Sequence, residues 1–123
     1  MKVLIDSSSW IDFLREGGNR QPGVSAALKS GTALLCPVVW AELMSGMRGK
    51  REQEALKIIR QSCGWIDMDE ASWDATFILR TAAKAKGVNC PLADVMIVAC
   101  AKRHGAGLLH RDKHFDALLK LAV

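Results

Sequence analysis

The four cysteines, Cys36, Cys63, Cys90 and Cys100, include no C-x-x-C pair, and each lies beside apolar or small residues. That spacing argues against a zinc site or a disulfide framework and for buried free thiols. No run approaches the ~20 apolar residues that a membrane-crossing helix needs. The N-terminus carries one lysine and then passes into a short apolar run ending in aspartate, which is not the pattern of a secretory signal. The cytoplasm is therefore the expected compartment. Internal repeats and low-complexity segments are missing as well, so neither a solenoid nor a disordered tail is expected.

What remains has the composition of an ordinary globular chain. Its 123 residues suit a single domain, 1–123, with one core. Half of them are apolar and 24% are charged, which excludes a disordered chain. The net charge of +4 and a pI near 9.0 permit a polyanionic partner without requiring one.

The opening stretch sets the fold class. Val3, Leu4 and Ile5 read as a strand buried on both faces. The run stops at Asp6, and Ser7, Ser8 and Ser9 then cap a helix whose apolar side is Trp10, Ile11, Phe13 and Leu14. A short helix over Val24 to Ser30, closed by Gly31, leads to a second buried strand, Thr32 to Cys36. Pro37 opens a helix reaching about Met47. Glu52 to Ser62 reads as amphipathic, with Ala55, Leu56, Ile58 and Ile59 inward. Gly64 to Met68 is a weak third strand, and Asp69 or Ser72 caps a long helix ended by Gly87. Leu92 to Arg103 is a strongly apolar helix. Ala106 to Leu109 is a fourth strand, Lys113 to Leu119 a last helix, and Lys120 to Val123 an edge strand. Strands alternating with helices predict an α/β fold: a three-layer α/β/α sandwich around a parallel sheet of about five strands.

In such folds ligands sit beyond the carboxyl ends of the strands, and the acids gather there. Asp6 and Asp112 each follow a buried strand. Asp94 lies in a first helical turn, and Glu42 on a mainly apolar helix after the second strand. Singly, each has an ordinary explanation as turn chemistry or a first-turn acid. Together they mark a site, because Glu42 and Asp94 interrupt apolar faces where an unpaired carboxylate is costly. A divalent cation such as Mg²⁺ or Mn²⁺ resolves that cost. The matching chemistry is attack of metal-activated water on a phosphodiester.

The segments Leu4-Ile5-Asp6-Ser7-Ser8, Glu42-Leu43-Met44-Ser45-Gly46, Pro91-Leu92-Ala93-Asp94 and Leu109-His110-Arg111-Asp112-Lys113-His114-Phe115 follow one another along nearly the whole chain. In these the chain resembles the PIN-domain ribonucleases, and most of all the VapC-type toxins of prokaryotic toxin–antitoxin pairs. The resemblance implies a sheet of 3-2-1-4-5 order, Mg²⁺- or Mn²⁺-dependent RNA cleavage and a cognate antitoxin. It also implies that Asp6, Glu42, Asp94 and Asp112 are the catalytic acids, with Asp6, Asp94 and Asp112 holding metal. Ser7 or Ser8 matches the hydroxyl after the first acid. His110 departs from the family, which has Thr or Ser two residues before its last acid.

Other features have plainer explanations. His104 reads as a helix cap favoured by the dipole, and His114 as packing or rim. The basic groups are mostly solvated faces, with Arg111 and Lys113, beside Asp112, the two expected to meet RNA phosphates. Asp116 reads as a solvated helix position. Trp10, Trp40, Trp65 and Trp73 belong to the core or to a subunit interface, and apolar residues on the long helices predict a homodimer. Two rival functions stand against the nuclease. A receiver-like phosphoacceptor domain needs an acidic pair after strand one, an Asp ending strand three and a lysine ending strand five, none of which is present. A non-catalytic RNA-binding module of the same shape is the second.

Overall fold

The computed structural model describes residues 1–121. Among them, four short strands form one parallel sheet: β1 (Val3–Ile5), β2 (Ala33–Leu35), β3 (Gly64–Trp65) and β4 (Gly107–Leu109). Around it run α1 (Ser7–Glu16), α2 (Pro22–Ser30), α3 (Pro37–Gly46), α4 (Gly49–Ser62), α5 (Glu70–Ala85), α6 (Leu92–Arg103) and α7 (Lys113–Leu119). The sheet order is β3-β2-β1-β4, with Val3 paired to Ala33 on one side and Gly107 on the other. This is the α/β/α sandwich that the alternating pattern predicts, with four strands in the expected order. Of the expected fifth strand, Lys120 lies in a turn and Leu121 in a bend, and residues 122 and 123 lie outside the described residues. β4 therefore ends the described sheet, and its side chains are half-buried instead of fully enclosed.

The core follows from the same periodicities. Leu4, Ile5, Leu34 and Leu35 are buried in the two central strands, and Trp10 of α1 is buried with them in the core. α6 is the central helix: Val95, Ile97, Val98, Ala99, Cys100 and Ala101 are all buried, and it packs on α3, α5, α7 and β4. Enclosure on so many sides explains why its sequence is apolar nearly all round. Gly31, at φ +69, closes α2 in the left-handed conformation that glycine adopts without strain. At Gly64 a Cβ would stand 2.8 Å from Leu34 Cδ2, so any larger residue there would force the buried Leu34 side chain to move.

Some expectations are corrected. α4 begins at Gly49, three residues before Glu52, because the Glu52 carboxylate accepts the Arg48 N–H at 2.8 Å and so steadies an earlier first turn. Ile58 faces outward, since Leu56 and Ile59, three apart, define the buried face and Ile58 falls across the helix from Leu56. β3 is shorter than predicted, though the Ile66 N–H still donates to Leu35 O. Of the four tryptophans only Trp10 is fully buried; the Arg60 guanidinium stacks 3.5 Å from the centre of the Trp65 ring and 5.4 Å from that of Trp40. The cysteines are all free thiols, three of them buried. No helix among the described residues is long and apolar enough to cross a membrane.

Candidate functional site

Two of the four acids are where a strand becomes a helix, and the local chemistry is the same at both. Asp6 ends β1 and caps α1: its Oδ1 accepts from Ser9 N–H at 3.1 Å, and its Oδ2 from Ser8 Oγ at 2.7 Å. Asp112 follows β4 and caps α7, accepting from His114 N–H at 3.0 Å. The Asp6 N–H donates to Leu109 O, so the ends of the two adjacent strands are tied together. Capping accounts for an aspartate at each place. It does not account for what stands around them.

α6 brings Asp94 to the same edge in its first turn, where its N–H donates to Pro91 O at 3.1 Å. Arg80, on α5, donates to Cys90 O at 2.7 Å and pins the chain just before that turn. α3 brings Glu42, whose Oε1 accepts from Ser7 Oγ at 3.0 Å. The electrostatics are unfavourable at both. Burial pushes the Glu42 carboxyl above the ordinary range, Ser7 partly offsets this, and the charges of Asp94 and Asp6 push it further up. Burial also raises Asp94, followed by repulsion from Asp112, with His114 opposing and Asp6 adding to the rise. Glu42 on α3 thus feels the charges of Asp94 and Asp6, and Asp94 on α6 those of Asp112 and Asp6, at an edge built from two helices and two strand ends.

Within this group, oxygens of Asp94 and Asp112 and a ring nitrogen of His114 all lie within 4.8 Å of one another. Asp6 stands outside that trio, although it was expected beside Asp94 and Asp112. Its two oxygens accept from Ser8 and Ser9. His114, read from the sequence as packing or rim, is half-exposed at the rim of these acids. It lies in the first turn of α7, two residues after the cap Asp112, and at that spacing a side chain stands beside the capping carboxylate.

The remaining candidates divide. Ser7 and Ser8 both hold acids of the group. Arg111 is paired at 2.6 Å with Asp12 of α1, and Lys113 is exposed at the start of α7. The His110 ring packs on Phe115, its Nε2 is 3.3 Å from Asp116 Oδ1, and its Nδ1 is buried without a partner. Asp116 is thus exposed, as expected, but paired. His104 ends α6 as expected, with Nε2 2.9 Å from Asp67 O.

Residues 3–121 match the family described as PIN domain. The chain is 28% identical over 124 residues to VapC ribonuclease Mb1587 of Mycobacterium bovis, covering 97% of this chain and 92% of the relative. Identity and coverage are the same for ribonuclease VapC11 of Mycobacterium tuberculosis. Among solved structures, VapBC2 of Rickettsia felis, bound to a DNA fragment from its promoter, superposes with a TM-score of 0.82 at 19% identity, covering 96% of this chain and 93% of that one. FitAcB of Neisseria gonorrhoeae gives a TM-score of 0.76 at 22% identity, over 94% and 92%. VapC20 of Mycobacterium tuberculosis, a toxin cleaving the Sarcin-Ricin loop, gives 0.70 at 17% identity, over 99% and 98%. At these identities the structural likeness speaks for the fold.

Proposed function

The chain belongs to the PIN domain family, and from that premise we propose that it is a divalent-cation-dependent endoribonuclease, the toxin of a toxin–antitoxin pair. The observation that carries the reading is the crowding of Glu42 and Asp94: each is half-buried, and each is raised by burial and by the charge of its acidic neighbours. Among the described residues, the groups that oppose the rise are the Ser7 hydroxyl at Glu42 and the half-exposed His114 at Asp94. Carboxylate oxygens clustered in this way fit Mg²⁺ or Mn²⁺, with Asp94, Asp112 and Asp6 as the holding residues. Such a cation supplies Lewis acidity, which makes water a competent nucleophile at neutral pH and offsets charge on the leaving 3′ oxygen.

The chain's own groups do the rest. Ser7 fixes one oxygen of Glu42, so the other is free to take a proton from the attacking water. Burial and acidic neighbours keep Glu42 more basic than an exposed glutamate. Ser8 and Ser9 hold Asp6 in one orientation. Arg111 and Lys113 flank the acids and meet RNA phosphates. The Arg111–Asp12 pair is exposed, and a surface pair of this kind is worth only about 0–1 kcal/mol, so a phosphate can replace Asp12 cheaply.

A cognate antitoxin and a homodimer complete the proposal. The structural neighbours include a toxin–antitoxin complex from Klebsiella pneumoniae. On α5, Trp73, Phe77 and Ile78 stand exposed, an apolar face suited to a second copy. Domain 1–123 then acts as one nuclease unit in the cytoplasm.

The test is the chemistry of the cut. Attack by water leaves a 5′-phosphate and a 3′-hydroxyl, fails in EDTA, and tolerates a 2′-deoxy substitution at the cleaved position. A 2′,3′-cyclic phosphate formed in the presence of EDTA would overturn the proposal in favour of a histidine mechanism.

A further inference from the structure

We propose that His114 is a nitrogen ligand of the cation held by Asp94 and Asp112, and that it biases the site toward Mn²⁺ over Mg²⁺. The inference rests on the reading above that these acids hold a divalent cation. His114 Nδ1 lies 3.6 Å from Asp94 Oδ2 and 3.5 Å from Asp112 Oδ1. Ligand atoms about 2.1 Å from one octahedral ion stand about 3.0 Å apart when adjacent and about 4.2 Å when opposite, so these side chains need to close by only about 0.5 Å to share an ion. Both separations are too long for good hydrogen bonds, so the imidazole stands near both acids without being bound tightly to either.

The backbone makes this placement rigid. Asp112 caps α7 and accepts the His114 N–H at 3.0 Å, so one helical turn carries both residues. Asp94 comes from the first turn of α6, and α6 packs on α7, which fixes the two turns against each other. The imidazole is half-exposed, so it gives its lone pair to an ion without first leaving a buried hydrogen bond. Neither His104 nor His110 has this position: each faces an oxygen outside the acid group, Asp67 O and Asp116 Oδ1 respectively.

The donor set then decides the metal. Mg²⁺ takes oxygen ligands and retains water, and gains little from an imidazole. First-row transition ions accept imidazole nitrogen more readily than Mg²⁺ does, and of the two ions that suit a carboxylate-rich set here, Mn²⁺ is the transition ion. An all-oxygen site would have no such bias.

The experiment titrates the full-length chain with Mn²⁺ and with Mg²⁺ separately, by calorimetry, as wild type and as His114→Ala. Electron spin-echo spectroscopy of the Mn²⁺-loaded wild type then reads nitrogen bound to the ion directly and does not depend on any variant folding. We expect ¹⁴N modulation in wild type and in His104→Gln, and its loss in His114→Ala. The His114→Ala change should weaken Mn²⁺ binding by about 10- to 100-fold and Mg²⁺ binding by no more than about threefold. Mn²⁺ bound with unchanged affinity and no nitrogen modulation would overturn the role of His114 and leave the acid site standing. Tighter Mn²⁺ binding by His114→Ala would overturn it too, as the mark of a cationic side chain that competes with the ion. Failure of the wild type to bind either ion would remove the acid site and this inference together.

Discussion

The molecule uses its acids in two opposite ways. Asp69 caps α5, accepting from Ser72 Oγ at 2.7 Å and Ser72 N–H at 2.8 Å, and it faces Arg103. Glu52 accepts from Arg15 on α1 and from the Arg48 N–H, joining α1 to α4. Hydrogen bonds, from Ser72 at Asp69 and from Arg15 at Glu52, hold both carboxyls below their ordinary range. Glu42 and Asp94 are raised instead, by burial first and then by the charges of neighbouring acids, Asp94 and Asp6 at Glu42 and Asp112 and Asp6 at Asp94. The same residue types stabilise the fold at one place and oppose it at the other. Opposition confined to one sheet edge is what a functional site costs a fold, and a bound cation would reverse it.

The sharpest way to break the comparison is to remove single acids from each side. Asp94→Asn or Asp6→Asn should lower RNA cleavage by at least roughly 100-fold, measured on a defined RNA at saturating Mn²⁺. Neither change should reduce the cooperativity of unfolding. Asp69→Ala should do the reverse: cleavage stays near wild type, while the thermal midpoint drops by the loss of a helix cap.

The two sets should also answer pH in opposite senses. Glu42 and Asp94 bind protons more tightly folded than unfolded. Their contribution favours the fold below the ordinary values of 4.5 and 3.8 and is lost as pH rises through the raised folded values. Asp69 and Glu52 favour the fold above 3.8 and 4.5, and that contribution is lost as pH falls through their lowered values. Urea unfolding without divalent cation should therefore show Asp94→Asn flattening the fall in stability above about pH 4, and Asp69→Asn flattening the fall below it. Coincident profiles for the two variants would erase the distinction. The smallest effect concerns RNA affinity: Arg111→Gln should weaken binding alike for all sequences and reduce the salt slope by roughly 0.7, the value for one single-strand phosphate contact.

Much of this contrast is legible in the sequence, because the strongest signals are local. Val3 to Ile5 ending at Asp6, and Gly107 to Leu109 leading to Asp112, put acids at strand ends whatever the tertiary packing does. Leu92 to Arg103 is apolar enough to be central, and its first turn carries Asp94. The rim place of His114 was legible, but its nearness to Asp94 depends on where α6 sets that acid, a long-range fact. Ile58 was misplaced because an apolar residue two positions from Leu56 satisfies composition but lies across the helix from it. The pairing of Arg111 with Asp12 joins residues 99 positions apart, which no local pattern foretells. The glycine and two leucines of β4 could not say that the described sheet ends there, since half-burial leaves no distinct mark on three residues.

The central claim is that the acidic edge opposes folding until a cation neutralises it, and thermal unfolding with and without Mn²⁺ tests it most directly. In EDTA, Asp94→Asn should melt above wild type. Saturating Mn²⁺ should raise the wild-type midpoint, because an ion that binds only the folded chain stabilises it, and should leave that of Asp94→Asn nearly unmoved. A variant that melts below wild type in EDTA, with neither protein responding to Mn²⁺, would contradict the account.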